Sequence, residues 1–155
     1  MTKPKSILCP LDFSDSSMEA FRYAEELATA TGAELTIAHA FDRPATLDLE
    51  GQTKPADQHL HEQLENVKSS LPLTRLQHAG PTGEVICWLA QEHHCDLIVM
   101  GTHGRSGITH ALFGSVAEYV MRHARCPVLT IRHHEPNQPK LREPRVLPLP
   151  APRLM

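Results

Sequence analysis

The stretch from Asp96 to Arg132, DLIVMGTHGRSGITHALFGSVAEYVMRHARCPVLTIR, constrains this chain more than any other. Leu97-Ile98-Val99-Met100 is an apolar run long enough for a buried strand and too short for a helix. Gly101 breaks it, and Gly104 and Gly107 keep the next segment loose. From Gly114-Ser115 the spacing turns helical, with Val116, Val120 and Met121 on one side and Glu118 and Arg122 on the other. Cys126-Pro127 ends that helix, because proline cannot continue it and disfavours helix in the residue before it. Val128-Leu129-Thr130-Ile131 is a second short strand. The order is strand, glycine loop, helix, strand.

Gly101, Gly104 and Gly114 form the spacing G-x2-G-x9-G, followed by Ser115. A residue without a side chain lets backbone N–H groups approach an oxyanion closely. A helix starting near Gly114-Ser115 adds unpaired N–H groups and a partial positive charge. Together these suit a phosphate chain. No G-x4-G-K-[ST] loop and no G-x-G-x-x-G fingerprint occurs in the chain. Two glycines three apart are by themselves only a flexible loop. The full spacing, with the serine and both flanking strands, favours the phosphate reading.

These residues resemble those of the universal stress proteins, in the branch that binds nucleotides. The likeness lies in Ile98-Val99-Met100, Gly101, Gly104, Gly114, Ser115 and Cys126-Pro127-Val128-Leu129, and in Ile7-Leu8-Cys9-Pro10-Leu11-Asp12-Phe13-Ser14 near the start. It covers roughly Lys5 to Arg132.

The rest of the chain can be read in order. Ser6 to Leu11 is a strand, with Pro10 near its exit because proline cannot donate to a ladder. Ser16-Ser17-Met18-Glu19 fits a capping box, with Ser16 as N-cap. The helix after it buries Ala20, Tyr23, Ala24, Leu27 and Ala28 on one face, and Gly32 stops it. Glu34 to Ala40 is the second strand. Phe41 to Lys54 has no period and reads as a long surface loop. Ala56 to Ser70 is a polar helix with a thin stripe at Leu60, Leu64 and Val67. Leu73 to Ala79 is the third strand. Glu84 to His93 is a helix with Val85, Ile86, Leu89 and Ala90 inward, Trp88 partly exposed and Thr82 as a candidate cap.

Length suggests one domain over residues 1–134. Residues 135–155 change character. Pro136, Pro139, Pro144, Pro148, Pro150 and Pro152 interrupt them and Lys140, Arg142, Arg145 and Arg153 make them basic, so a disordered tail is expected. A formal charge of −3 points to neither nucleic acid nor membrane as a bulk partner. No apolar run reaches transmembrane length and the first residues lead into a strand, so a cytoplasmic location is expected. The four cysteines, Cys9, Cys87, Cys95 and Cys126, form no C-x-x-C pair and read as buried reduced thiols. The eleven histidines read as surface residues, since adjacent ones such as His93-His94 seldom chelate one ion.

Strands alternating with helices argue an α/β fold, an open five-stranded parallel sheet with helices on both faces. Right-handed crossovers point to the order 3-2-1-4-5. The resemblance implies the same Rossmann-like fold, of the adenine nucleotide alpha hydrolase-like kind. Ligands of such sheets sit at the carboxyl ends of strands where the order reverses. Pro10, Leu11 and Asp12 from strand one and Met100 and Gly101 from strand four fall there. Asp12 reads either as an acceptor for ribose hydroxyls and a partner for Mg²⁺, or as a cap for the helix after it. Ser115 is a phosphate donor or an N-cap. Arg105 screens phosphate charge or is a solvated loop residue.

The resemblance implies that Asp12 belongs to a nucleotide site and that the backbone around Ala40 meets the adenine. It also implies that Gly101, Gly104, Gly114, Ser115 and Val116 line phosphates and ribose, and that relatives are often dimers through the last strand. Two positions depart from the family's usual pattern. Ala40 is smaller than the usual branched residue, and His110 stands where many relatives carry Arg or Lys.

The expected function is therefore an ATP-binding stress-response sensor or regulator, using ATP with Mg²⁺ and forming a homodimer through residues 128–131. The alternatives are a slow ATPase or nucleotidyl-transfer enzyme on the same fold, and a dimeric adaptor that ignores nucleotide. No general base aimed at a γ-phosphate and no P-loop lysine is visible, so efficient phosphoryl transfer is not expected.

Overall fold

The computed structural model of the chain describes residues 2–41, 55–103, 113–134 and 140–144. Their elements run β1 (Ser6–Pro10), α1 (Asp15–Thr31), β2 (Glu34–Phe41), α2 (Pro55–Glu65), β3 (Leu73–Ala79), α3 (Thr82–Glu92), β4 (Leu97–Gly101), α4 (Ser115–His123) and β5 (Val128–Ile131). The strands form one parallel sheet in the order β3-β2-β1-β4-β5, as the alternation of elements predicts.

The order decides which face each helix covers. β1-α1-β2 and β2-α2-β3 step toward one edge, while β3-α3-β4 and β4-α4-β5 step toward the other. Right-handed crossovers then put α1 and α2 on one face and α3 and α4 on the opposite face. The core follows this division. Ile7, Cys9, Leu35, Ile37 and Val99 pack against Ala20, Phe21, Ala24 and Ala28 of α1 and Leu64 of α2. Leu8, Ala38, Ile98 and Met100 pack against Val85, Ile86, Leu89 and Ala90 of α3 and Ala117 and Val120 of α4. Strands buried on both faces read as continuous apolar runs.

Several local expectations are corrected. The first helix is capped by Ser14, not Ser16: the Ser14 hydroxyl accepts from Ser17 N at 3.2 Å. Asp12 Oδ1 draws the turn forward by accepting from Ser14 N at 3.0 Å and Ser14 Oγ at 2.6 Å. Ser16 and Ser17 are then buried in the first turn. Glu19, released from a capping box, takes His133 Nδ1 at 2.6 Å, and this partner holds its carboxyl below the usual carboxylate range.

Helix α2 ends at Glu65 and not at Ser70. There the Arg75 guanidinium, reaching across from β3, donates to the carbonyls of Leu64 and Val67, giving the last turn partners that helix propagation would have supplied. In α4 the buried pair is Ala117 and Val120, while Met121 is exposed. In α1 Tyr23 is exposed. The loop expected over Phe41 to Lys54 lies outside the described residues, apart from Phe41 at the end of β2.

All four cysteines are free, with Cys9 and Cys95 buried and Cys87 and Cys126 half-buried. Burial pushes each thiol up from its ordinary value. The thiolate is the nucleophile, so native alkylation at neutral pH is slow. Peptide mass spectrometry after maleimide treatment should find Cys9 and Cys95 unmodified in the native protein, and all four modified in denaturant. Rapid native labelling of Cys9 would contradict this packing of β1.

Candidate functional site

Strands β1 and β4 are neighbours, yet their chains leave in different directions. β1 runs into α1 on one face, and β4 leads toward α4 on the other. A crevice opens between them at the carboxyl ends of the strands, which is where the topology places a ligand.

A cavity of about 230 Å³ occupies it. Its floor and walls bring together Pro10, Leu11 and Asp12 from the exit of β1, Ala38, His39 and Ala40 from β2, and Met100, Gly101, Thr102 and His103 from the exit of β4. Gly114, Ser115, Val116 and Ala117 close it from α4, Thr82 and Ile86 from α3, and Ser17 from α1. Nine of the residues singled out in the sequence thus line one space: Pro10, Leu11, Asp12, Ala40, Met100, Gly101, Gly114, Ser115 and Val116. Gly104 and Arg105, and His110 with them, lie outside the described residues.

Asp12 is the one acidic side chain among the described lining residues. Its Oδ1 is held by the Ser14 backbone and hydroxyl, so Asp12 positions the capping residue and does not itself cap α1. Across the cavity, α4 begins at Ser115 with Gly114 in the N-cap position. Neither Gly114 there nor Pro81 before α3 makes a side-chain cap, whereas Ser14 caps α1. Thr82 and Ser115 are therefore first helical residues and not the caps that the sequence suggested. The first-turn N–H groups of a helix have no partner within it and carry positive partial charge.

The ends of the glycine segment are tied. Gly114 N donates to Thr102 O at 2.6 Å, and Thr102 N donates to Ile131 O at 3.1 Å. The link fixes the start of α4 beside the end of β4, where its first turn lines the cavity. Gly101 has a second reason to be glycine. A Cβ there would meet Ser16 of α1, with the backbone carbon 2.8 Å and the carbonyl oxygen 2.9 Å away.

His39 corrects the expectation that the histidines lie on the surface. It is buried on β2, with Nδ1 2.8 Å from the Leu11 carbonyl oxygen. Sequence reading also assigned none of Ser17, Thr102, His103, Thr82, Ile86, Ala38 and Ala117 to the site, though it gave Ser17 and Thr82 to caps and Ile86 to the core. Ala38 and Ile86 carry an apolar period that marks core and nothing further. Thr82 and Ser17 reach the cavity only because α3 and α1 start at this end of the sheet.

The family model for the universal stress protein family matches residues 3–132. A universal stress protein of Methanocaldococcus jannaschii, MJ0531, is 34% identical over 140 residues, covering 83% of this chain and 82% of the relative. Among solved structures, the universal stress protein UspA from Lactobacillus plantarum superposes with a TM-score of 0.68 at 30% identity, covering 83% of this chain and 97% of that one. The universal stress protein from Archaeoglobus fulgidus in complex with dAMP superposes with a TM-score of 0.57 over 84% of this chain and 98% of that one. At 24% identity that likeness is one of fold alone. With sheet order, family model and relatives in agreement, the chain belongs to the universal stress protein family.

Proposed function

We propose that this chain binds an adenine nucleotide, ATP with a divalent ion, in the cavity between β1 and β4, and acts in the cytoplasm as a stress-response sensor or regulator. The observation that carries the reading is the meeting of the Asp12 turn and the first turn of α4 across one cavity. The N-terminus of α4 suits phosphate. Asp12 offers an acceptor to ribose hydroxyls. Ala40 and Met100, both packed with the α3–α4 core, offer apolar walls to a base.

The residues suit a metal carried by the nucleotide better than a protein-built metal site. Among the described residues no group of three or more His, Cys, Asp or Glu side chains gathers to hold an ion. Mg²⁺ commonly keeps few protein carboxylates and takes substrate phosphates as ligands. Asp12 is the group that would face it here, and the ion would offset phosphate charge. Calorimetry with ATP and Mg²⁺ tests the reading. Even a Kd of 1 mM corresponds to about 4 kcal/mol. A folded wild type that gives no heat at millimolar ATP removes the nucleotide.

A second copy of the chain is the protein partner in this reading. Among the described residues β5 pairs only with β4 and forms one edge of the sheet. The Pro127 carbonyl accepts from Ile98 of β4, and the Ile131 carbonyl from Thr102 just beyond it. By the alternation of a parallel ladder, Val128 and Thr130 turn their N–H and C=O groups outward. Such an edge invites pairing. Leu129 packs into the α1 core, so the outward edge is tested better at Thr130. Thr130→Pro removes an outward donor at an edge position that tolerates proline. Sedimentation velocity should show a dimer for the wild type and a monomer for this variant. A wild type that is monomeric at tens of micromolar excludes the dimer.

A further inference from the structure

We infer that His39 is a positioning residue for the edge of the cavity that carries Asp12, acting through the Leu11 carbonyl and the Phe13 ring. The inference rests on the nucleotide reading for its functional consequence, but the brace itself is a property of the unliganded protein.

The chain needs a brace at this point. β1 ends at Pro10, which has no N–H to give. Leu11 N still reaches β2, donating to Ala38 O at 2.8 Å. On the other side, the pairing with β4 stops at Leu8↔Ile98. The carbonyl of Leu11 is taken by the His39 ring, with Nδ1 at 2.8 Å. A carbonyl only accepts, so Nδ1 carries the proton and the tautomer is set.

The turn that follows is strained. Phe13 has φ 63°, in the left-handed region that residues with a side chain seldom adopt. Its ring lies 6.1 Å from the His39 ring, centroid to centroid, at an interplanar angle of 44°. Asp12 sits between these two points of contact, and its Oδ1 holds Ser14 at the start of α1. Backbone in such a conformation persists only where its surroundings over-determine it.

A core built for packing alone would not choose histidine here. Leu35, Ile37 and His39 alternate along the same face of β2, and the first two are aliphatic. His39 is 6% exposed, and its Nε2 is enclosed with no hydrogen-bond partner among the described residues, which is unfavourable. What the ring provides against that cost is the donor to Leu11. His39 lines the cavity, but Nδ1 is taken by Leu11 and Nε2 is enclosed, so its polar contribution is to hold Leu11, and with it Asp12 and Phe13, in place.

The test compares His39→Leu, which fills the space without a donor, with His39→Asn, whose side-chain amide can replace the Nδ1–H. Amide hydrogen exchange over residues 11–14 is measured in the unliganded proteins, and ATP–Mg²⁺ affinity by calorimetry. Exchange at Asp12 and Ser14 should quicken in His39→Leu and stay near wild type in His39→Asn. ATP affinity should fall about tenfold, or about 1.4 kcal/mol, in His39→Leu and be largely restored in His39→Asn. Leu and Asn variants that exchange alike, or that bind ATP as the wild type does, overturn the inference. A wild type that binds no ATP, with exchange still separating the two variants, sinks the nucleotide reading and leaves the brace standing.

Discussion

Gly101→Val should lower the melting temperature by about 10 °C, on a scale where about 1 kcal/mol shifts a domain of this size by about 3 °C. The glycine lies at the end of β4 against the first turn of α1. A Cβ built there falls 2.8 Å from the Ser16 backbone carbon and 2.9 Å from its carbonyl oxygen, and it also meets Ser16 Oγ. Carbon atoms in contact prefer separations of about 3.5–4.0 Å. Helix α1 must therefore retreat from the sheet by several tenths of an ångström. That retreat pulls Ala20 and Ala24 away from the β1–β4 core. Overpacking of this kind costs about 1–3 kcal/mol and more where backbone is the obstacle. Ser16→Gly in the same protein should restore only part of the loss, because the backbone atoms remain.

Gly32 provides the contrast. It closes α1 at φ 75°, and a Cβ there meets nothing within 4 Å. Gly32→Ala should cost only the left-handed backbone strain, about 1–2 kcal/mol. Scanning calorimetry on the variants decides the matter. A Gly101→Val protein that melts with the wild type would mean that α1 does not approach β4 as described.

This pair of glycines also shows what was legible before the structure. Gly32 could be read from local pattern, because it follows an amphipathic helix and precedes a strand. The need for glycine at 101 could not, since it depends on a contact between residues 16 and 101. Local reading gave that glycine to the phosphates, and the α1 contact requires it whatever the cavity holds. The strands were legible because each is a short apolar run buried on two faces, and their alternation with helices carried the sheet order. Caps were less legible. Ser14, Ser16 and Ser17 all suit an N-cap, and the choice fell to Asp12, whose carboxylate holds Ser14. The end of α2 depended on Arg75, ten residues beyond Glu65. His39 carried no signal at all. One histidine in the run Ala38-His39-Ala40 has no period of its own, and its burial is decided by a carbonyl on another strand.

Gly114→Val should abolish measurable ATP binding, a loss of at least about 100-fold or about 2.7 kcal/mol, while leaving the fold intact. Gly114 has φ −69° and ψ 161°, extended backbone that valine adopts freely. Its N–H donates to Thr102 O at 2.6 Å, a bond that a side chain does not remove. The backbone at this position therefore gives no reason of its own for glycine. Valine is a poorer N-cap than glycine, but that difference is a small part of the stability of the whole domain. The proposed ligand supplies the missing reason. The first turn of α4 lines the cavity that Asp12 borders, its N–H groups have no partner within the helix, and phosphate oxygens bond to such groups only at hydrogen-bond distance, about 2.7–3.2 Å. A branched side chain at the N-cap stands in that approach. Calorimetry with ATP and Mg²⁺ on the wild type and Gly114→Val, with thermal melts to show that both are folded, makes the comparison. Retention of affinity within about threefold would mean that the phosphates do not approach α4 at Gly114, and would move the anion site away from this helix.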